Sequence, residues 1–220
     1  MKLSDFFVVL CASHSSMIEF NTAFNLADVV RILDKHKISA CSDKAGISVA
    51  RTHLLEKVIR ATEKNGIEND GFVKALWIDS DIRTVSPPQK IARDIMEADR
   101  NGWNLVANYP GMWENNTYIN TLAKPGQNGA YNFYMDDELD GMKNLEELPV
   151  GTVGGMGFAY ISIPIDYRFE FTKYGEDICM FRHMYEHYPD YRLRYWDVEL
   201  EHLKTMPLRR IRKEKKSNEA

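Results

Sequence analysis

The chain has 220 residues, of which 44% are hydrophobic and 27% are charged, a balance that suits one globular domain with a sizeable core. Its formal net charge is −4 and its pI is about 5.9, so no overall positive field attracts nucleic acid, and we expect no nucleic-acid partner. The apolar run at residues 6–12 is too short to cross a bilayer and lacks a signal-peptide cleavage pattern, so we expect a soluble, cytoplasmic protein.

Strand and helix signals alternate through the first half of the chain. The apolar run at residues 6–12 predicts a buried strand, and apolar residues at helical spacing between 20 and 30 predict a helix after it. Similar signals predict strands at 38–41, 73–78 and 103–109 and helices at 48–65 and 87–101. Strands that alternate with helices predict an α/β fold in which helices cover both faces of a parallel sheet.

The third predicted strand ends in two carboxylates, Asp79 and Asp81. Ligands of open parallel sheets bind at the carboxyl ends of the strands, which is where this pair lies. Two carboxylates so close repel each other unless a cation or a proton intervenes. Hard cations such as Mg²⁺ and Mn²⁺ prefer oxygen ligands and are often shared with substrate phosphates, so the pair predicts a metal–phosphate site. Aspartate and serine also occur in ordinary turns, which is the simpler interpretation.

The second half of the chain begins with an atypical segment, residues 111–148. It is rich in glycine, proline, asparagine and aromatic residues, and most connections in α/β folds are shorter. The segment is therefore either a binding loop or lid at a sheet edge or a disordered excursion. Four glycines follow within residues 151–157, including Gly154 and Gly155, and they allow a ligand to approach the backbone closely. Their spacing does not match a dinucleotide-binding fingerprint.

The remaining elements carry further polar groups. A strand is predicted at residues 159–163, and the helix after it opens with Glu176 and Asp177, which also suits the electrostatics of a helix N-terminus. A short strand at 191–196 precedes His202, and a single histidine is more often structural than a ligand. Residues 208–220 are basic and predict either a flexible solvated tail or a weak electrostatic contact with an anionic membrane.

Three cysteines, Cys11, Cys41 and Cys179, are far apart in the sequence and odd in number. This usage predicts reduced, buried thiols in an intracellular compartment rather than a disulfide framework. Because no C-x-x-C pair is present, we expect no thiolate zinc site.

Taken in order, these parts resemble a GT-A glycosyltransferase. The resemblance rests on the polar loop at 13–16, Arg51 in the second helix, the W-I-D-S-D motif at 77–81, the glycine-rich segment before a strand, Glu176–Asp177 and the late His202. It covers residues 6–207, and the chain looks most similar to compact members known from archaeal viruses. It implies a Rossmann-related, mixed but mostly parallel sheet in one domain, residues 1–207, with a nucleotide-binding half (1–108) and an acceptor-binding half (109–207).

The resemblance implies a hexosyltransferase-type enzyme that moves a sugar from a UDP- or GDP-sugar to an acceptor hydroxyl. Asp81 and His202 would hold Mn²⁺ or Mg²⁺, a histidine ligand favouring Mn²⁺, and Asp79 would contact the metal or the ribose. Asp177 would be the general base of an inverting reaction, and Glu176 would position the donor or the base. Further contacts with the nucleotide sugar would come from Ser13, His14, Asp43, Arg51, Gly154 and Gly155.

Several points and three other functions stay open. The acceptor is a glycan, a protein or a lipid, and a viral origin would place the protein in the host cytoplasm. A phosphatase of the haloacid dehalogenase type also has D-x-D after a strand, but it uses the first strand and expects Thr or Val where Arg83 stands. A sugar-phosphate nucleotidyltransferase expects glycines in the first loop, which residues 13–16 lack. A non-catalytic nucleotide-sugar-binding protein is the remaining alternative.

Overall fold

The computed structural model describes residues 1–12, 20–42, 46–112, 118–170, 172 and 175–203. Its helices and strands alternate through the first half, as predicted. In chain order, the first half contains β1 (Phe6–Ala12), α1 (Phe20–Leu33), β2 (His36–Ser42), α2 (Ile47–Lys64), β3 (Phe72–Asp79), β4 (Ile82–Thr84), α3 (Pro88–Asn101) and β5 (Asn104–Ala107). The second half contains β6 (Pro110–Met112), β7 (Tyr118–Asn120), β8 (Ala123–Pro125), β9 (Tyr131–Phe133), α4 (Asp136–Asp140), β10 (Phe158–Pro164), α5 (Glu176–His187), β11 (Leu193–Trp196) and β12 (Leu200–His202).

Six strands form the central sheet, in the order β11-β5-β10-β3-β1-β2. Five of them run parallel, and β10 lies antiparallel between β3 and β5. The predicted single α/β domain with a mixed, mostly parallel sheet is therefore confirmed. The fully parallel sheet that the alternation alone predicts is wrong at β10. Both halves of the chain contribute to this one sheet, because β10 and β11 come from the second half.

Apolar cores cover both faces of the sheet. Along β1, Val8 and Leu10 face one core while Phe7 and Val9 face the other, because successive residues of a strand point to opposite sides. The first core includes residues of α2 and α5, and the second includes residues of α1 and α3. A strand buried on both faces has no polar side to present, which explains the continuous apolar run of β1.

Lys74 is the one charged residue inside the apolar run of β3, and the structure gives it a partner. Its Nζ donates to the carbonyl oxygen of Ala98 (3.1 Å) and lies 3.5 Å from Asp99 Oδ1, both in the last turn of α3. Burial lowers the pKa of Lys74, and the Asp99 carboxylate partly offsets that effect. Positive charge is favourable at a helix C-terminus, so Lys74 fastens the end of α3 to the sheet.

The segment at 111–148 is more regular than the sequence predicts. Within its described residues, β6 pairs with β7 and β8 pairs with β9, each antiparallel, and the short helix α4 follows. Asn108 fastens the first hairpin, because its Oδ1 accepts from the Thr121 N–H at 3.0 Å and its Nδ2 donates to Asn120 Oδ1 at 2.9 Å. The interpretation of this segment as irregular or disordered is therefore wrong for the described part, and its role as a lid stays a prediction.

Two further predictions concern contact with a membrane. Within those residues, no helix combines the length and the apolar character needed to cross a membrane. The basic tail at 208–220 lies outside the described residues, so its contact with an anionic membrane stays a prediction.

Candidate functional site

The carboxyl ends of β1 and β3 meet at one edge of the sheet. Asp79, the last residue of β3, pairs with Ala12, the last residue of β1. The Ser80 N–H donates to the carbonyl oxygen of Ala12 (3.0 Å), and the Asp79 N–H donates to that of Gly157 (2.9 Å), just before β10. From β1 the chain moves outward to β2 and then returns past β1 to β3, so the strand order reverses at this point. Such a switch point is where open α/β sheets bind ligands.

A strand pair that the sequence did not reveal brings His202 to this edge. The turn after Asp79 leads directly into β4, and β4 pairs antiparallel with β12, placing Ile82 opposite His202. The Leu203 N–H donates to the carbonyl oxygen of Asp81 at 2.7 Å. As a result, the side chains of His202 and Asp81 are neighbours although 121 residues separate them in the chain.

The hydrogen bonds of His202 fix the orientation of its ring toward Asp81. Its Nδ1 lies 2.8 Å from the carbonyl oxygen of Pro110, which can only accept, so Nδ1 carries the proton. In a neutral imidazole Nε2 is then an acceptor, yet it lies 3.1 Å from Asp81 Oδ2. Two acceptors face each other stably only when a second ring proton or a cation joins them. Metal-bound histidines commonly donate their other N–H to a backbone carbonyl, as His202 does.

The donor set at this position fits a divalent cation. Adjacent ligand atoms of an octahedral Mg²⁺ or Mn²⁺ lie about 3 Å apart, close to the separation of Nε2 and Oδ2. Among the described residues, no group of three His, Cys, Asp or Glu side chains is arranged to hold a metal. A metal bound by Asp81 and His202 would therefore need its other ligands from water and substrate phosphates, the usual arrangement for Mg²⁺ in phosphate-transfer sites.

Arg51 lies at the centre of a second cluster beside the first. Its guanidinium bonds Asp79 Oδ1 at 3.1 Å, Glu176 Oε1 at 2.7 Å and also Asp177 Oδ1. Only 2% of the side chain is exposed. Burial by itself disfavours the charge, but the Asp79 and Glu176 carboxylates outweigh it, and the pKa of Arg51 is raised. Arg51 is therefore a permanent cation that holds three carboxylates in place.

This environment argues against the predicted contact of Arg51 with the nucleotide sugar, which stays a prediction. A contact with the donor diphosphate requires exposed N–H groups, whereas both terminal nitrogens of this buried guanidinium are engaged by carboxylates. Asp79 accepts a hydrogen bond from Arg51, whereas the Asp81 carboxylate contacts His202. The two aspartates of the D-x-D motif therefore have different partners. Ser13, His14 and Asp43 lie outside the described residues, and their contacts with the nucleotide sugar stay predictions.

The two acidic residues at the start of α5 differ in accessibility. Asp177 has 24% of its side chain exposed, compared with 10% for Glu176. The Met156 N–H donates to Asp177 Oδ2 at 3.1 Å, and Arg51 donates to Oδ1. These two hydrogen bonds fix the orientation of the Asp177 carboxylate. Each oxygen keeps a second lone pair. Asp177 is the better placed of the two to meet a bound molecule.

Tyr109 is a site residue that sequence reasoning missed. The Gly157 N–H donates to its hydroxyl oxygen at 2.8 Å, and its ring lies edge-on to His202, with centroids 5.7 Å apart. Burial, together with the Asp79 carboxylate, raises the pKa of Tyr109, so the hydroxyl keeps its proton. Tyr109 thus packs between the two clusters. The available signal was its place at the end of the fourth predicted strand, at the same edge of the predicted sheet where Asp81 follows the third strand.

The glycines before β10 make room for side chains of the protein itself. A Cβ at Gly154 would collide with Val106 and Leu122, and a Cβ at Gly155 or Gly157 would collide with the Tyr109 hydroxyl. This packing explains why these positions lack side chains without any reference to a ligand. The predicted contact of Gly154 and Gly155 with the nucleotide sugar therefore lacks the open space it was based on.

A side chain added at Gly155 should destabilise the protein. We expect Gly155→Ala to lower the free energy of unfolding by about 1–3 kcal/mol, the usual penalty for overpacking a core, because the new methyl group meets the Tyr109 hydroxyl. Urea denaturation checks this, with Gly141→Ala as the control, since a Cβ there meets Glu138 O at an ordinary 3.5 Å. Equal stability of the two variants would contradict the packing described for Tyr109.

Comparison of the chain with models of known protein families, with curated proteins and with solved structures found no match. What the chain does is therefore inferred from its own residues.

Proposed function

We propose that this protein is a metal-dependent glycosyltransferase that moves a sugar from a nucleoside-diphosphate sugar to an acceptor hydroxyl. The observation that carries the proposal is the pair Asp81–His202. The Nδ1 proton of His202 is committed to Pro110, and its Nε2 faces the Asp81 carboxylate at 3.1 Å, at the ligand-binding edge of the sheet. These two groups would hold Mn²⁺ or Mg²⁺, and the imidazole nitrogen favours Mn²⁺.

The charge of the site supports a cation-assisted substrate. Asp79, Asp81, Glu176 and Asp177 bring four carboxylates to this edge, and Arg51 offsets one of them. An anionic diphosphate is repelled by such a site unless a divalent cation lies between them. A divalent cation held by Asp81 and His202 would supply that attraction and would neutralise the negative charge that develops on the departing nucleoside diphosphate.

The second cluster supplies the proton acceptor. The acceptor hydroxyl must lose its proton as it attacks the sugar, and a positioned carboxylate takes that proton. Asp177 suits this role because it is partly exposed and because the Met156 N–H and Arg51 fix its orientation. Glu176 is more buried and bonds the same guanidinium, so it positions Arg51 and, through it, Asp177. A separate base on the acceptor side corresponds to an inverting transfer.

Turnover of nucleotide sugars tests the proposal directly. The purified chain is incubated with a panel of UDP- and GDP-sugars and simple glycan, peptide and lipid acceptors, and release of nucleoside diphosphate is measured with Mn²⁺ and with EDTA. We expect release that needs Mn²⁺ and that rises with the correct acceptor. Hydrolysis of simple phosphomonoesters without any turnover of nucleotide sugars would instead indicate a phosphatase, and binding of nucleotide sugars without turnover would indicate a binding protein.

A further inference from the structure

Cys11 and Cys41 are neighbours in the sheet although they are distant in the sequence. The parallel register of β1 and β2 pairs them directly, each at the next-to-last position of its strand. Directly paired residues of neighbouring strands project from the same face, so the two thiols are neighbours on one face of the sheet. The expectation that all three thiols are buried is wrong for Cys41, which is exposed.

The two thiols differ in their access to solvent. Cys41 is exposed, on the edge strand β2, whereas Cys11, beside it on β1, is buried. Burial, with Cys41 adding to the effect, raises the pKa of the Cys11 thiol. The third cysteine, Cys179, lies on α5, where its sulfur is 3.0 Å from the Thr172 hydroxyl. The chain thus has one accessible thiol directly beside a buried one, and a separate thiol that serves as an internal control.

We propose that Cys11 and Cys41 form a redox-active dithiol that peroxide closes to a disulfide. Neighbouring strands lie about 4.8 Å apart. This spacing falls within the separation of about 4.4–6.8 Å that disulfides require between Cα atoms. Among the described residues, β2 is the outermost strand of the sheet and has a strand partner on one side only, so we expect its end to move toward the shorter sulfur–sulfur distance at low cost.

The oxidation proceeds in two balanced steps. The exposed Cys41 sulfur attacks one oxygen of hydrogen peroxide, the O–O bond breaks, and a sulfenic acid and one water form. The Cys11 sulfur then attacks the Cys41 sulfur, the S–O bond breaks, and the departing hydroxide takes the Cys11 proton and leaves as a second water. The two thiols are oxidised by two electrons and the peroxide is reduced to two waters. A low-molecular-weight dithiol reverses the reaction by thiol–disulfide exchange.

The disulfide would lie next to the candidate site. Ala12, the residue after Cys11, pairs with Asp79 at the end of β3, so the new bond ties β2 to β1 one residue from that contact. This inference depends on the register of the strands and on the exposure of Cys41, and it stands whether or not the protein transfers sugars.

Thiol counting with peptide mapping tests the dithiol. The reduced full-length chain is treated with hydrogen peroxide, denatured and alkylated. We expect the number of free thiols to fall from three to one, with a mass loss of two hydrogen atoms, a linked peptide containing Cys11 and Cys41, and recovery after dithiothreitol. Cys179→Ser should still form the disulfide. Cys41→Ser, a substitution at an exposed position, should form none.

Three results would overturn the inference. The first is a sulfinic acid at Cys41 with Cys11 still free after peroxide treatment. The second is a linked peptide that contains Cys179. The third is a disulfide between two chains, detected as a dimer on a non-reducing gel at low protein concentration.

Discussion

Replacing Arg51 with methionine is expected to lower the free energy of unfolding by about 3–5 kcal/mol, the cost of removing one partner from a buried ion pair. Methionine fills much of the same volume but leaves Asp79, Glu176 and Asp177 close together without their shared cation. The free energy of unfolding of Arg51→Lys should lie between those of the unmodified protein and Arg51→Met. An ammonium keeps the positive charge but lacks the planar guanidinium that reaches several carboxylates. Urea denaturation followed by circular dichroism gives the three free energies.

A matched control lies on the same helix. Arg60 is 72% exposed and faces Glu56 at 3.9 Å, so Arg60→Met removes only a surface pair that contributes roughly 0–1 kcal/mol. Equal stability of the Arg51→Met and Arg60→Met proteins would mean that the three carboxylates do not depend on the buried guanidinium. A stable but inactive Arg51→Lys protein would separate the positioning of the carboxylates from the stability of the fold.

Asp177→Asn is expected to reduce sugar transfer by about 10²–10⁴-fold, the usual contribution of a general base. Asparagine has the shape of aspartate and still accepts a hydrogen bond from the Met156 N–H, but it cannot take a proton from the acceptor hydroxyl. Binding of the donor and the metal should change little, since Asp81 and His202 are untouched. Single-turnover transfer and calorimetric donor binding, measured on the same protein, separate the two effects.

Glu176→Gln is the matched control for this substitution. It changes the neighbouring, more buried carboxylate and should reduce transfer less than Asp177→Asn does. Transfer by a folded Asp177→Asn protein at close to the original rate would assign the base to another group. A larger loss of transfer in Glu176→Gln than in Asp177→Asn would make Glu176 the general base and Asp177 the positioning residue.

Local patterns were sufficient to predict much of the fold. Residues 6–12 became β1 with the same bounds, and the alternation of strands and helices predicted the α/β architecture. The direction of β10 and the pairing of β4 with β12 depend on contacts between distant segments, and no local signal encodes them. One available signal was overlooked. Asn128 and Gly129 both have positive φ, in the connection between β8 and β9, and Asn-Gly is the strongest short-range sign of a hairpin.

The sequence predicted which charged residues lie at the candidate site, but it did not predict which residues they contact. The rule that ligands bind at strand ends located Asp79 and Asp81 correctly at the carboxyl edge. It did not reveal that Arg51 bonds carboxylates 125 and 126 residues later in the chain, because residue type alone does not encode which charges meet. The sequence also gives no sign of which backbone groups a side chain contacts. The Pro110 carbonyl that orients His202 is an example.

Calorimetric titration of UDP and GDP, with and without Mn²⁺, tests the central claim most directly. The proteins compared are the unmodified chain, Asp81→Ala, His202→Ala and the control Glu201→Ala, which changes an exposed neighbour of His202 on β12. We expect Mn²⁺-dependent binding of one nucleoside diphosphate, retained in Glu201→Ala and weakened by about tenfold or more in the other two variants. Binding that is the same without Mn²⁺, or that is unchanged in both Asp81→Ala and His202→Ala, would contradict a metal held by these residues.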